Sequence, residues 1–139
     1  AKVMKKSDIT LFLQITQELG RDSYHTPVSC PIASVGGYGG AMGPAQFIPS
    51  TWTLYKNKVK TQTGKAADPW NITDAFLAAG LYLKDLDASS SEWRAAMKYF
   101  SGSMWTKYEE FYGNNVIVIA TGYEDDIKQL ESQLTKAGQ

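Results

Sequence analysis

Residues 36–52 read Gly-Gly-Tyr-Gly-Gly-Ala-Met-Gly-Pro-Ala-Gln-Phe-Ile-Pro-Ser-Thr-Trp, a glycine-rich loop that runs into a helix start. The five glycines among residues 36–43 permit backbone angles and close approaches that a Cβ would forbid. Pro49 suits the first turn of a helix, where its missing N–H costs nothing. No Gly-Lys-Ser/Thr follows, which excludes a phosphate-binding loop. The loop presents flat apolar groups beside an amide, a mixture that binds sugars, although a plain connection fits the spacing equally well.

Residues 40–52 resemble the signature of the lytic murein transglycosylases, most closely that of the membrane-bound lytic transglycosylase B family, glycoside hydrolase family 103. Three further segments follow the family pattern in order. Residues 12–20 resemble the helix before the loop, residues 68–75 resemble its Asp-x-Trp-Asn-x-x-x-Asp-Ala segment, and residues 96–102 fall where a Tyr-Asn pair closes the cleft. The resemblance implies a mainly α, lysozyme-like fold of the goose-type and transglycosylase kind, with a long glycine-rich loop.

The resemblance also implies a reaction, which is cleavage of the β-1,4 bond between N-acetylmuramic acid and N-acetylglucosamine to a 1,6-anhydro product. One glutamic acid serves the family as acid and then base, several tens of residues before the loop. We expect residues 1–139 to form a single domain that lacks the helix carrying this acid, and Glu18 to be an ordinary solvated residue. No catalytic residue is therefore assigned, and the isolated chain is expected to be inactive. The alternative is a non-catalytic glycan-binding or structural cell-surface protein on the same fold.

Candidate substrate-binding residues follow from the resemblance. Gln46 resembles the glutamine beside the catalytic acid, and Tyr99 resembles the tyrosine whose hydroxyl reaches the acid or the sugar. Phe100 stands where the family has asparagine, which removes one polar contact. Asp68 and Asp74 are interpreted as loop-fixing and helix-capping. The residues assigned to substrate binding are Tyr38, Gly40, Met42, Gln46, Phe47 and Tyr99, although for Phe47 a core role is the favoured interpretation.

Charge and composition limit the partners. Fourteen basic and fourteen acidic residues cancel, so no net charge favours nucleic acid or an anionic membrane. Some relatives carry an Asp-rich calcium loop where this chain has residues 58–65, with three lysines and no carboxylate. Because calcium requires 6–8 oxygen ligands, several of them charged, we expect no metal site there and no cofactor. The partner that the resemblance implies is the glycan strand of peptidoglycan.

Cys30 is the single cysteine and lies between Pro27 and Pro31. Two interpretations stay open: a buried thiol that acts as a small hydrophobe, or a disulfide partner on another polypeptide, such as an upstream segment. No signal peptide is recognisable at Ala1, and no apolar run reaches the length of a membrane span. The resemblance implies an extracytoplasmic location, in the periplasm, cell wall or cell surface, after processing.

Caps and apolar spacing predict helices nearly throughout. The last segment is ambiguous, because Val116-Ile117-Val118-Ile119 is strand-like by β-branching. The four-three spacing of Val116, Ala120, Tyr123, Ile127, Leu130 and Leu134, here named the C-terminal stripe, nevertheless favours a helix. We expect it to pack on this domain, with self-association through its later half as the alternative. The other expected features are a cap at Ser7 and a stop at Gly20, a loop over 21–43, a helix from Pro49, a cap at Asn71 and a capping box over Ser89–Glu92.

Overall fold

The computed structural model describes residues 3–31, 38–107 and 112–137, so Gly36 and Gly37 of the glycine-rich loop lie outside the described residues. The expected mainly α fold is confirmed, because the described residues form helices and no strand beyond isolated bridges from Met42 to Val28 and to Phe47. The helices are α1 Lys6–Glu18, α2 Pro49–Thr63, α3 Ile72–Asp85, α4 Glu92–Ser101, a 3₁₀ helix Gly102–Lys107, and α5 Asn114–Ala137.

The chain divides into two compact units, Ala1–Tyr82 and Leu83–Gln139, so the expectation of a single domain stays a prediction. In the first unit α1 packs against α2. Phe47 is central to an aromatic cluster there, with ring centroids 5.7 Å from Trp52, 6.2 Å from Tyr55 and 6.1 Å from Tyr82. Phe47, two residues before α2, is thus a core residue of this unit.

Asp8 joins α1 to the beginning of α2. Its carboxylate is almost fully buried, with 3 % of the residue exposed, and its Oδ1 accepts the Ser50 N–H at 2.9 Å. The first N–H groups of a helix have no partner within the helix, and the N-cap residue of α2, Ile48, has no side chain that can accept one. A carboxylate from the neighbouring helix therefore takes the place of a local cap.

The helix ends confirm part of the sequence analysis. Gly20 follows α1 with φ +64°, as a stop requires, and the Asn71 side chain accepts the Asp74 N–H at 3.1 Å. The Ser7 cap is wrong, because α1 already begins at Lys6 and encloses Ser7. The capping box is also wrong in detail. Ser91 is the N-cap of α4 and accepts the Arg94 N–H at 3.2 Å, which places Glu92 at the first helical position rather than the third.

In the second unit, α5 confirms the helix expected over the C-terminal stripe but not its packing. The start of the helix lies on α4, where a Cβ on Gly113 would stand 2.5 Å from Trp93 Nε1. Every residue from Ile119 to Lys136 is exposed, and the exposed fraction of Leu134 reaches 73 %. Within the second unit, the part of the stripe beyond the start of the helix is therefore not packed as expected, because α5 extends well beyond the short helix α4 that it contacts.

We predict that Asp8→Ala lowers the free energy of unfolding by about 1–3 kcal/mol, because the Ser50 N–H loses its acceptor in a buried position. Asp8→Asn keeps an oxygen acceptor and is expected to lose less. Urea unfolding measures both, with Asp125→Ala on the exposed part of α5 as the control. Equal stability of Asp8→Ala and the control would show that the contact contributes nothing.

We also predict that stability falls at alkaline pH through Tyr82. Burial raises the pKa of the Tyr82 hydroxyl above its ordinary value of about 10. The unfolded chain therefore loses this proton at lower pH than the folded one, so the contribution is intact below about pH 10 and lost as pH rises beyond it. Tyr82→Phe should show a shallower decline between about pH 9 and 11 in urea titrations. Tyr24 is 93 % exposed, so the stability of the control variant Tyr24→Phe should decline with pH as that of the wild type does.

Candidate functional site

Gly40 and Ala41 of the glycine-rich loop are hydrogen-bonded to Ser29. The Gly40 N–H donates to the Ser29 carbonyl at 2.9 Å, and the Ser29 N–H donates to the Ala41 carbonyl at 2.9 Å. The Ala41 N–H also donates to the Ser29 hydroxyl at 3.0 Å. Gly40 has φ +90°, and a Cβ there would stand 2.5 Å from the Met4 Cβ. A glycine is therefore required at this point on both conformational and steric grounds.

The loop then makes a tight turn from Met42 to Phe47. The Met42 N–H donates to the Phe47 carbonyl at 2.8 Å, and the Gln46 N–H donates to the Gly43 carbonyl at 3.2 Å. Gly43 has φ +63°, and a Cβ on it would overlap the Pro69 carbonyl group. The turn thus lies directly against the loop that precedes α3.

Gln46 is the polar side chain that this turn exposes. Its φ of +55° is uncommon for a residue other than glycine and indicates a conformation maintained by the surroundings. The side-chain Nε2 donates to the Gly43 carbonyl at 2.7 Å. The Oε1 atom makes no hydrogen bond with the described residues, so one acceptor and one further N–H of the amide can serve a ligand.

A groove of about 290 Å³ lies beside the turn. It contains part of the loop, part of the Ser29 segment and one aromatic ring, and none of its lining side chains carries a charge. The lining residues are Pro27, Val28, Ser29, Ala41, Gly43, Gln46 and Trp70. We name it the glycine-loop groove. A neutral surface with a ring, a hydroxyl and an amide suits an uncharged polar ligand such as a sugar.

Trp70 is fixed in the groove by contacts on several sides. Its indole N–H donates to the Pro27 carbonyl at 2.9 Å, and the Arg21 guanidinium lies over its ring at 4.9 Å from the centroid. Arg21 in turn pairs with Asp68 at 2.6 Å, and Asp68 accepts the Trp70 N–H at 2.9 Å. The interpretation of Asp68 as a loop-fixing residue is therefore confirmed.

Asp74 does not cap α3 as expected. Its carboxylate is fully buried and accepts the Asp68 N–H at 3.0 Å, which ties the preceding loop to the helix. Lys65 Nζ lies 3.6 Å from its other oxygen and supplies the compensating charge. The described residues contain no group of three or more His, Cys, Asp or Glu side chains that could hold a metal, and the calcium expectation stays a prediction.

The residues assigned to the substrate divide into exposed and buried groups. Met42 is fully buried and Phe47 is 2 % exposed, so both support the turn from the core side and neither offers its side chain to a sugar. Tyr38 is 50 % exposed, with Lys5 Nζ 5.9 Å from its ring centroid. Gln46 is the assigned residue whose side chain lines the glycine-loop groove. Burial thus corrects the cleft-wall expectation for Met42 and agrees with the core role favoured for Phe47.

Tyr99 lies in α4, within the second unit, and its sharing of a groove with the glycine-rich loop stays a prediction. The second unit has its own concavity, of about 590 Å³, between the turn before α4 and the start of α5. Trp93 lines it, and the indole N–H donates to the Asn114 side chain at 2.9 Å. No residue assigned from the sequence lines this second concavity.

Every carboxylate of the first unit already has a partner within the unit. Glu18, the last residue of α1, accepts two hydrogen bonds from Lys56 Nζ, at 2.8 and 2.9 Å. Asp22 pairs with His25 at 2.6 Å, and this hydrogen bond lowers the pKa of the Asp22 carboxyl group. The five carboxylates of residues 1–82 are Asp8, Glu18, Asp22, Asp68 and Asp74.

Three residues of the site were not found from the sequence: Trp70, Ser29 and Arg21. Trp70 lies inside the segment that resembles Asp-x-Trp-Asn, which is the one available signal. The contact between its indole and the Pro27 carbonyl spans 43 residues, and spacing along the chain does not predict it. Cys30, next to the groove, is exposed, so the interpretation as a buried thiol is wrong.

The described residues are thus mainly helical, and the first unit has an uncharged groove beside a glycine-rich turn. A family model for the transglycosylase SLT domain matches residues 8–115. The match spans most of the chain, and the chain therefore belongs to the transglycosylase SLT domain family, whose members act on peptidoglycan. No curated protein and no solved structure was found to match it. Among the described residues, no helix has both the length and the hydropathy for a membrane span.

We predict that Gly43→Ala destabilises the protein far more than Gly20→Ala. The two glycines have nearly the same φ, +63° and +64°, but a Cβ on Gly20 meets nothing within 4 Å. Gly20→Ala should therefore cost about 1 kcal/mol from backbone strain alone. Gly43→Ala should cost about 1–3 kcal/mol more, because its methyl group would meet the Pro69 carbonyl. Similar urea midpoints for the two variants would contradict the close contact.

Proposed function

We propose that this domain binds the glycan strands of peptidoglycan in the glycine-loop groove. The observation that carries the proposal is the lining of that groove, in which the Trp70 ring, the Ser29 hydroxyl and the Gln46 amide meet without a charged side chain. Rings pack on the flat apolar faces of sugars, and amides and hydroxyls bond to their hydroxyl and N-acetyl groups. The family to which the chain belongs acts on the same polymer.

We further propose that the domain is of the membrane-bound lytic transglycosylase B type, as the sequence resemblance implies. The complete enzyme would then cut the bond between N-acetylmuramic acid and N-acetylglucosamine, with the muramic 6-hydroxyl as internal nucleophile. Such a reaction needs one carboxyl group rather than the pair used by most glycosidases. It would take place outside the cytoplasm, where the polymer lies.

Residues 1–139 by themselves should bind the polymer without cutting it. A general acid must present its carboxyl group to the glycosidic oxygen, and each carboxylate of the first unit is occupied by a protein partner. Glu18 is the residue to test, because it ends the helix before the glycine-rich loop. Its two bonds from Lys56 fix it as a structural ion-pair partner in this conformation. An activity that depended on Glu18 would require this pair to open.

The prediction for binding uses chitooligosaccharides as the probe and NMR as the measurement. The Trp70 indole and the Gln46 side-chain amide should shift together, and Tyr99 should shift with them if it contacts the same strand. Gln46→Ala should weaken binding roughly fivefold, the effect of about one net hydrogen bond. Gln129→Ala, an exposed amide on α5, is the matched control. Shifts confined to the second unit, or none, would contradict the proposed groove.

The prediction for cleavage is tested separately on purified sacculi. We expect no release of 1,6-anhydro muropeptides by the 139-residue chain. Release that Glu18→Gln abolishes would overturn the non-catalytic assignment and identify Glu18 as the acid, while leaving the binding groove in place. Release that survives Glu18→Gln would also overturn the non-catalytic assignment, and the acid would then be sought among the carboxylates of the second unit.

A structural role at the cell surface is the second candidate function. The observation that favours it is the exposed C-terminal stripe on α5, where Ile127 is 55 % exposed and Leu130 is 59 % exposed. Isolated exposed apolar residues are ordinary on protein surfaces, but a row with helical spacing is typical of a contact surface. The two functions are compatible, because the groove and the stripe belong to different units.

A further inference from the structure

The C-terminal stripe has the spacing of a helix that pairs with another helix. Its residues alternate four and three apart, which places Ala120, Ile127 and Leu134 at one core position of a heptad and Tyr123 and Leu130 at the other. These residues lie on a continuous α-helix that extends from Asn114 to Ala137, about 36 Å long. All five are exposed, so this apolar row, here named the seam, is accessible to a second helix.

Three of the residues that flank the seam are acidic, and the other two, Ile119 and Gln133, are uncharged. Glu124 and Glu131 stand on one side of it and Asp126 on the other, whereas Asp125 lies on the face of the helix opposite the seam. Glu124 is paired with Lys128 of the same helix at 2.9 Å. Asp126 and Glu131 form no ion pair with the described residues. The helix carries four carboxylates and two lysines, and neither lysine occupies a flanking position.

This charge pattern disfavours a second copy as the partner. In a parallel pair of helices, Asp126 would face Glu131 of the other chain, because flanking residues five positions apart meet across the seam. In an antiparallel pair, the glutamates of one chain would approach those of the other. Both arrangements bring like charges together where the apolar seam excludes water, and such contacts oppose association. The acidic flanks therefore act against self-association.

We propose that α5 is a docking surface for a helix of another protein, with apolar residues at heptad spacing and Lys or Arg at the flanking positions. Such a helix covers the C-terminal stripe and places a cation opposite Asp126 and Glu131. The long alkyl stems of lysine and arginine also cover the edges of the apolar seam. The interaction would attach the glycan-binding domain to a partner, independently of whether the groove binds sugar.

The test uses the full 139-residue chain and two synthetic helical peptides. Both peptides have the same Leu and Ile residues at the core positions, and they differ in carrying Lys or Glu at every flanking position. Fluorescence anisotropy at low ionic strength should show the Lys peptide binding on the order of tenfold more tightly than the Glu peptide. The Asp126→Lys and Glu131→Lys double variant should reverse this preference.

Two single variants separate the seam from general attraction between charges. Ile127→Ser lies in the seam and should abolish binding of the Lys peptide. Val118→Ser, at a residue that is 70 % exposed on the side of α5 away from the seam, should leave binding unchanged. Circular dichroism confirms that each variant keeps its helices.

Several outcomes would overturn the proposal. Equal binding of the two peptides, absence of binding, or loss of binding in Val118→Ser as much as in Ile127→Ser would each exclude a charge-selective seam. Sedimentation that shows wild-type dimers, dissociated by Ile127→Ser, would identify a second copy as the occupant. Binding to zwitterionic lipid vesicles that Ile127→Ser abolishes would identify a bilayer instead.

Discussion

The buried carboxylate of Asp8 fixes the point at which the chain re-enters helix after its long loop. The Ser50 N–H that it accepts belongs to the first turn of α2, where the helix dipole also favours a negative charge. Phe47, which anchors the loop in the aromatic cluster, lies just before that turn. The end of the glycine-rich segment is therefore held by α1, through one side chain, and the family match begins at the same residue. A groove composed of loops obtains its rigidity from this helix-to-helix contact.

In the turn between Met42 and Phe47, buried side chains at the two ends support an exposed polar surface between them. Its two ends direct apolar side chains inward, while the chain between them turns outward and presents Gln46. The left-handed backbone at Gln46 costs free energy, and the Met42 N–H bond to the Phe47 carbonyl together with the buried ends compensates for it. A short turn anchored at both ends by buried side chains can therefore hold a polar amide at a defined position.

Local signals predicted the helices well, because a cap or a stop depends on residues a few positions apart. Gly20, Pro49 and Asn71 were all found in this way. The groove depends instead on contacts between distant segments, such as the hydrogen bond from the Trp70 indole to the Pro27 carbonyl. Such contacts produce no periodic pattern in the sequence from which they could be predicted. The burial of Met42 was missed for the same reason, since a methionine in a glycine-rich loop reads equally well as a cleft wall or as an anchor. Periodicity also identified the face of α5 without indicating what covers it.

The distribution of charge gives the two surfaces different selectivity, although the chain as a whole is neutral. The glycine-loop groove has no charged lining, so it gains little from ionic attraction and depends on shape, stacking and hydrogen bonds. The flanks of the α5 seam carry uncompensated carboxylates, so this surface discriminates between partners by sign as well as by apolar fit. High salt should therefore weaken contacts at the seam much more than those in the groove. The net charge of zero over the whole chain thus conceals a physical difference between a surface suited to a neutral polymer and one suited to a basic helix.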